Sequence, residues 1–567
     1  MKDSARTTNI NPWLVLALAG IPVFIGALDL TIVSAFLPEI IVRLELPPQM
    51  VLNDAAWVVT GYLLAYTISL TFMGRVSDLV GRRTAFVACL IIFMIGSFVV
   101  AEVDPQGRQG IAGWLYNLVY RLMGERPEGG NIALMTIIIG RIIQALGAGA
   151  IVPVTLALVG DLFPAHRRAQ PLGVIGAIDT LGWVLGHLYG GVMVKFFADH
   201  AAGFEDLFRQ LGLSWSAPDW RALFWLNLPI GLVALAAVLW ALRATPQTRA
   251  HGRFDWLGAV LISGTLIALV VGLGANLDIS SATASFSELG GLPSYAIPVL
   301  VIGALMLVGF VLVELRIRDP LFDLRIFTQR NLAAGAAANL FVGFCLMIGL
   351  VSVPILVNIR AEDVNALADA ALQVGVLLSA LTIPMALAAV PGGWLSERVG
   401  YGRATLIGLG LACLGFLLVW QTWTADVSYG LIAFEMALVG IGLGLTFSPI
   451  SASVINAADP DKLGVASALV ILMRLLGMTL GIALLTAFAS QRLSDLIVLE
   501  YGANAPDPYA AVDVYLRLTV TVLGEMGLAG AVLCLLGMIP ARLMRGNEPE
   551  GTHMASEDAF RATTTGD

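Results

Sequence analysis

Fourteen stretches of this chain run for 18 residues or more with scarcely a charge, at 13–37, 55–73, 84–101, 132–158, 171–197, 222–242, 256–274, 295–315, 332–358, 371–391, 404–421, 428–456, 464–489 and 516–540. No other feature constrains the fold as tightly. A helix crosses the ~30 Å hydrocarbon layer with about 20 apolar residues, and it is favoured there because lipid offers backbone N–H and C=O groups no partner. Only 13% of the residues are charged, about half the share usual in soluble domains, which excludes a water-soluble fold. The expectation is an all-α integral membrane protein with 14 transmembrane helices.

An even number of spans places both termini on one side. If that side is cytoplasmic, it holds 20 of the 32 lysines and arginines, the other side 10 and the helix interiors 2. Basic residues accumulate on the cytoplasmic side, so both termini are expected there, with the chain in a bacterial inner membrane. The first block is too long for a signal-peptide apolar region and carries a central acid, Asp29, so it reads as a retained span. Net charge is −8 and the basic residues form no stripe, which leaves nucleic-acid binding without an electrostatic footing. The four cysteines, Cys89, Cys345, Cys413 and Cys534, all sit in apolar blocks and the five histidines are dispersed. Neither a disulfide, a metal site, a cofactor nor an enzymatic centre is expected.

Two outer loops are long, 102–131 and 198–221. The first contains IAGWLYNLVYRLMG, whose apolar residues recur at helical spacing. It reads either as an interfacial amphipathic helix or as a cover over the protein's own outer face. Residues 490–515 read as a polar outer loop, and 546–567 as a disordered cytoplasmic tail.

Two loops repeat one pattern. GRVSDLVGRR, after the second span, carries Gly74, Asp78, Gly81, Arg82 and Arg83; GWLSERVGYGR, after the tenth, carries Gly393, Glu397, Arg398, Gly400 and Arg403. Glycines let helix ends approach closely, and the acid accepts hydrogen bonds from arginines or from a helix N-terminus. Such a cluster can break and reform as a conformational switch, or serve simply as a charged turn that sets topology. The matching positions imply two related halves: 1–243 with six spans, 331–545 with six, and 244–330 as an inserted pair with its linker.

At this point the chain resembles the major facilitator superfamily, in particular its fourteen-helix drug/proton antiporter branch. The resemblance rests on LDLTIVSAFLP around Asp29, RIIQALGAGA from Arg141, LGWVLGHLYGG at 181–191, WRALFWLNLPIG at 220–231, FDWLG at 254–258, DPLFDLRIF at 319–327 and RLLGMTLG at 474–481. It covers nearly the whole chain. Trp183 and His187 stand where the branch's fifth-helix motif commonly has proline. The resemblance implies two six-helix bundles plus two inserted helices, with proton coupling through the first-helix acid and the fourth-helix arginine. The stretch LGWVLGHLYG is also similar to that of mycobacterial triacylglyceride exporters of the branch, although Thr180 separates Asp179 from the motif.

A charge at the bilayer centre costs about 2.5–3.5 kcal/mol on insertion scales, which makes each buried ionisable group a functional candidate. There are six: Asp29, Arg141, Asp179, Glu435, Arg474 and Glu525. At about 1.5 Å per residue, Asp29 and Arg141 fall at one depth nearer the outer face, and Asp179 and Arg474 at one depth nearer the inner face. An acid beside arginine stays ionised, whereas separating the two favours protonation, so a helix movement that makes or breaks a pair moves a proton. Asp29 is the expected main proton carrier with Arg141 as its modulator, and Asp179 with Arg474 a second switch. Glu435, Glu525 and His187 are secondary candidates, each equally readable as an ordinary packed or water-reached side chain. Gly182, Gly186, Gly190 and Gly191 form a helix-packing motif.

The chain has no phosphate-binding GxxxxGK[ST] loop, so ATP is not expected to drive it. Apolar and aromatic spans suit a hydrophobic or amphiphilic small molecule or a lipid, moved through the membrane by alternating access. The leading expectation is proton-coupled multidrug efflux. Export of a triacylglyceride-like lipid or glycolipid is the alternative, and a non-transporting receptor on the same fold a third reading.

Overall fold

Segments that are apolar on every side have no face to turn toward water, so each becomes a helix set against lipid or against its neighbours. A computed structural model describes residues 11–33, 37–44, 57–212, 217–244, 249, 252–273, 295–322, 327–360, 366–501 and 512–545. Its membrane helices are α1 (Pro12–Ile32), α2 (Trp57–Val80), α3 (Arg82–Ala101), α4 (Gly129–Leu162), α5 (Ala169–Asp199), α6 (Arg221–Ala241), α7 (Trp256–Leu273), α8 (Ala296–Glu314), α9 (Arg330–Ile359), α10 (Ala366–Val399), α11 (Tyr401–Thr422), α12 (Tyr429–Ala457), α13 (Leu463–Tyr501) and α14 (Val512–Leu543). Thirteen contain an apolar stretch long enough to span a bilayer. The fourteenth, α5, passes the same test as a pair of segments, Ala169–Gly186 and Tyr189–Phe197, bent by 41°. The chain is an integral membrane protein of all-α architecture.

Within the first bundle α4 packs on α2 and α3, α1 on α5, and α6 on α3 and α1; within the second, α12 packs on α10 and α11, α9 on α13, and α14 on α11 and α9. The bundles meet through α5 on α10 and α2 on α13. The second helix of each bundle thus lies against the fifth of the other, a pseudo-twofold relationship. α7 and α8 pack mainly on each other, touching the rest chiefly through α2. Only 17% of the apolar window of α8 is buried, so this helix turns most of its surface to lipid.

One element runs beyond the hydropathy reading. α13 continues to Tyr501, through residues read as loop, and at 39 residues is about 58 Å long by the helical rise. Helical continuation past the apolar block is stabilised by Gln491 bonding Asp495 one turn on, and by ion pairs from Arg492 to Glu525 of α14 and from Glu500 to Arg517 of α14. Residues 110–123 are helical, as their spacing predicts. Ala112 and Leu115 pack against Ile132 of α4, while Trp114 and Leu122 on the other side are 67% and 77% exposed. One face thus covers the protein's own helices, and the other is exposed. The tail at 546–567 lies outside the described residues.

Candidate functional site

The face of the bundle carrying the start of α1 and the end of α14, here the terminal face, is closed by contacts between the two bundles. A Cβ placed on Gly74 of α2 would lie 2.3 Å from the carbonyl oxygen of Gly464, and one on Gly464 would lie 2.2 Å from that of Gly74. Only two glycines permit this crossing. Beside it, the Asp78 carboxylate accepts the backbone N–H groups of Gly464 at 2.9 Å and Val465 at 3.2 Å, capping the start of α13 across the bundle boundary. A carboxylate is well placed at a helix N-terminus, where unpaired N–H groups and the helix dipole both favour negative charge. Arg82 is ion-paired with Asp78, donates to Ser77 Oγ at 2.9 Å, and through Nε reaches Asp161 of α4 at 3.2 Å.

The second loop repeats this construction in weaker form. Ser77 Oγ donates to the Gly74 carbonyl at 2.8 Å, and Ser396 Oγ donates to the Gly393 carbonyl at the same distance. Gly81 and Gly400 both adopt positive φ, 94° and 87°, which glycine tolerates without Cβ strain. Gly393 lies against the start of α5, where a Cβ would be 2.7 Å from the Ala169 carbonyl oxygen. Glu397, though, is exposed and accepts from Gln170 Nε2 at 3.3 Å. Arg398 stacks over Trp394, its guanidinium carbon 3.7 Å from the ring centroid; Arg83 is half-buried and Arg403 exposed. Arg168, which sequence reasoning passed over, adds a third bridge: it donates to Asn456 at 2.9 Å, and Asn456 donates to the Ala165 carbonyl and to Tyr401 Oη.

Asp29 and Arg141 meet in a sealed network. They are ion-paired, at 1% and 0% exposure, and Arg141 Nη2 also donates to the Asp29 carbonyl at 3.0 Å. Asn227 of α6 donates to the second carboxylate oxygen at 3.0 Å. Gln144 accepts from Arg141 at 2.7 Å and donates to Ser97 Oγ at 2.7 Å, while the guanidinium lies over the Tyr62 ring at 3.8 Å. Such stacking and charge-assisted bonding suit a planar guanidinium. Equal depth had pointed to the pair. Gln144 and Asn227 were visible only as unexplained polar letters within the RIIQALGAGA and WRALFWLNLPIG motifs.

Asp179 and Arg474 instead line a cavity between the two bundles. The rest of its wall is mostly apolar, with Leu346, Leu350, Met385, Ile471 and Met478 beside Tyr66, Trp183 and Phe447. The two charges do not form a contact ion pair. Arg474 stacks on Phe447 with its guanidinium carbon 4.5 Å from the ring centroid, and Asp179 Oδ1 is buried without a hydrogen-bond partner.

The remaining candidates are structural in their contacts. Glu435 is fully buried and accepts from Thr422 Oγ1 at 2.5 Å and Trp423 Nε1 at 2.8 Å. Glu525 receives a bidentate bond from Arg492 at 2.7 and 2.8 Å. Gly182 and Gly186 press α5 onto α1, a Cβ on Gly186 falling 2.1 Å from Thr31 Oγ1 and 2.4 Å from the Leu28 carbonyl. Gly190 is buried. Gly191 is exposed, with nothing within 4 Å of where its Cβ would be, and takes no part in that packing. The side chain of His187 lies outside the described residues.

Two pseudo-symmetric helical bundles, joined at one face by polar contacts and lining a charged cavity between them, have the architecture of a membrane transporter. The chain belongs to the Major Facilitator Superfamily, whose family model matches residues 20–361 and 340–555. Among solved structures it is similar in fold to the proton:xylose symporter XylE (TM-score 0.54, 14% identity, covering 92% of this chain and 94% of that one). It is likewise similar to the human organic anion transporter MFSD10 (TM-score 0.52, 16% identity, 93% and 100%). In sequence it is 29% identical to a triacylglyceride transporter of Mycolicibacterium smegmatis over 98% of this chain and 90% of the relative. It is also 29% identical to a triacylglyceride transporter of Mycobacterium tuberculosis, over 95% and 96%.

Proposed function

We propose that this transporter exports a lipid in exchange for protons by alternating access. One observation carries the reading: an otherwise apolar cavity between the two bundles holds a carboxylate and a guanidinium, one from each, that face it without pairing. The apolar wall accommodates acyl chains, and a carboxylate open to the cavity can take up and release a proton as the bundles rock. Relatives named as triacylglyceride transporters favour the lipid alternative over multidrug efflux, the reading first drawn from the branch.

On this reading the terminal face is cytoplasmic, in accord with the lysine and arginine distribution. Residues 1–243 and 331–545 are the moving halves, 244–330 a lipid-facing insert, and the Asp78, Arg82 and Glu397 contacts the switch that closes the cytoplasmic side. Asp29, sealed by Arg141 and Asn227, gains access to protons only when α1 and α4 shift, so Asp179 is the group that responds to the cavity. Chemistry and ATP hydrolysis play no part, and nucleic acid is no partner.

The test is proton flux in proteoliposomes supplied with lipids or dyes. Lipid-dependent flux, absent from Asp179→Asn and reduced in Asp29→Asn, is expected. Uphill lipid movement that persists with both acids neutralised overturns the proton coupling, and dye-dependent flux without lipid-dependent flux returns the cargo to drugs.

A further inference from the structure

The cavity's two charged groups also state what headgroup fits between them. Among the described lining residues, Asp179 and Arg474 are the only charges, and they sum to zero. A cationic headgroup would be brought against Arg474 and an anionic one against Asp179, so the net charge of the occupant should be zero. Hydrogen-bonding capacity narrows the class further. Asp179 Oδ1 is buried and accepts nothing. Arg474 is committed through its face to Phe447, which leaves its N–H edge for an acceptor.

Resting on the export reading above, we infer that the cargo is an uncharged lipid bearing a free hydroxyl next to an oxygen acceptor, the hydroxyl donating to Asp179 and the acceptor receiving from Arg474. A partial acylglyceride or a glycosyl lipid has this chemistry. A fully esterified glyceride has acceptors alone, serves Arg474, and leaves the ionised carboxylate unpaired in a buried site. Sites built around a substrate hydroxyl discriminate strongly against the analogue that lacks it, because their own polar groups are then stranded.

This arrangement also couples cargo to protons. A proton on Asp179 removes the charge that makes it a strong acceptor for the hydroxyl, so protonation and cargo binding oppose each other, as exchange in opposite directions requires. The titratable and charged groups facing Asp179 are Tyr66 of α2 and Arg474 of α13; among the described lining residues α10 and α12 contribute Thr382, Met385 and Phe447, none of which titrates.

Equilibrium binding to the full-length protein in nanodiscs tests the inference, using radiolabelled dioleoylglycerol, a monoglycosyl dioleoylglycerol, trioleoylglycerol and dioleoyl phosphatidic acid. We expect one or both hydroxyl lipids to bind about tenfold or more tighter than the triester and the acid, and which of the two binds identifies the source. That preference should weaken as pH falls. It should vanish in Asp179→Leu, and in Asp179→Asn it should lose its pH dependence. A triester bound as tightly as the diester alcohol, or a hydroxyl preference surviving Asp179→Leu, overturns the headgroup assignment while leaving lipid export standing. Failure of every lipid to bind overturns both.

Discussion

Asn227 on α6 donates to Oδ1 of Asp29 on α1 at 3.0 Å, on the side of the carboxylate opposite Arg141. Three helices are therefore tied through one acid. Asp29→Ala removes the only counter-charge within contact of Arg141 among the described residues and strands a fully buried guanidinium. Breaking a buried pair in this way costs about 3–5 kcal/mol. Thermal unfolding in detergent should show a large loss of stability for Asp29→Ala and a smaller one for Asp29→Asn, which keeps an acceptor in place.

The Asp78 cap predicts a conformational effect rather than a loss of fold. Asp78→Asn removes the charge that accepts from Gly464 and Val465 across the bundle boundary. Hydrogen bonds to a charged group contribute about 1.5–3 kcal/mol, so the open-to-closed ratio at the terminal face should rise by about tenfold or more. Spin labels on α2 and α13 near that face would report the separation. An unchanged distance distribution would remove Asp78 from the switch. Glu397→Gln should shift it far less, since its carboxylate is exposed and accepts from Gln170.

Gly186→Ala should weaken the α1–α5 contact outright. The new methyl would meet Thr31 Oγ1 and the Leu28 carbonyl, and backbone cannot yield as a flexible side chain does. Overpacking of this kind costs about 1–3 kcal/mol. Gly191→Ala, facing open space, serves as the control and should leave the unfolding temperature where it is.

Glu435 separates a structural acid from a proton carrier. Its two oxygens accept from Thr422 and Trp423, and glutamine supplies one acceptor oxygen in place of two. Glu435→Gln should cost about 1–3 kcal/mol of stability yet leave the pH profile of lipid-dependent flux unmoved. A shifted profile would place Glu435 in the proton path instead.

Depth was readable from the letters because a helix rises by a constant amount per residue, and this aligned Asp29 with Arg141 and Asp179 with Arg474 from their positions in the spans alone. Rotation about each helix axis was not. That angle decides that Asn227 and Gln144 turn inward to complete the first pair, and that Arg474 stacks on Phe447 while Asp179 Oδ1 keeps no hydrogen-bond partner. The reach of α13 past its apolar block was hidden for a related reason: its continuation depends on ion pairs with α14, 33 and 17 residues away in the chain.

The number of spans, their membrane setting and the paired glycine–acid loops follow from the amino-acid order itself, because a bilayer imposes its demands along one dimension, a length of unbroken apolar chain. Which helix ends cross, which carboxylate is sealed and which faces the cavity were settled by packing in three dimensions. Gly74 and Gly464 lie 390 positions apart, and only the folded bundles bring them into contact and set Asp78 at the start of α13.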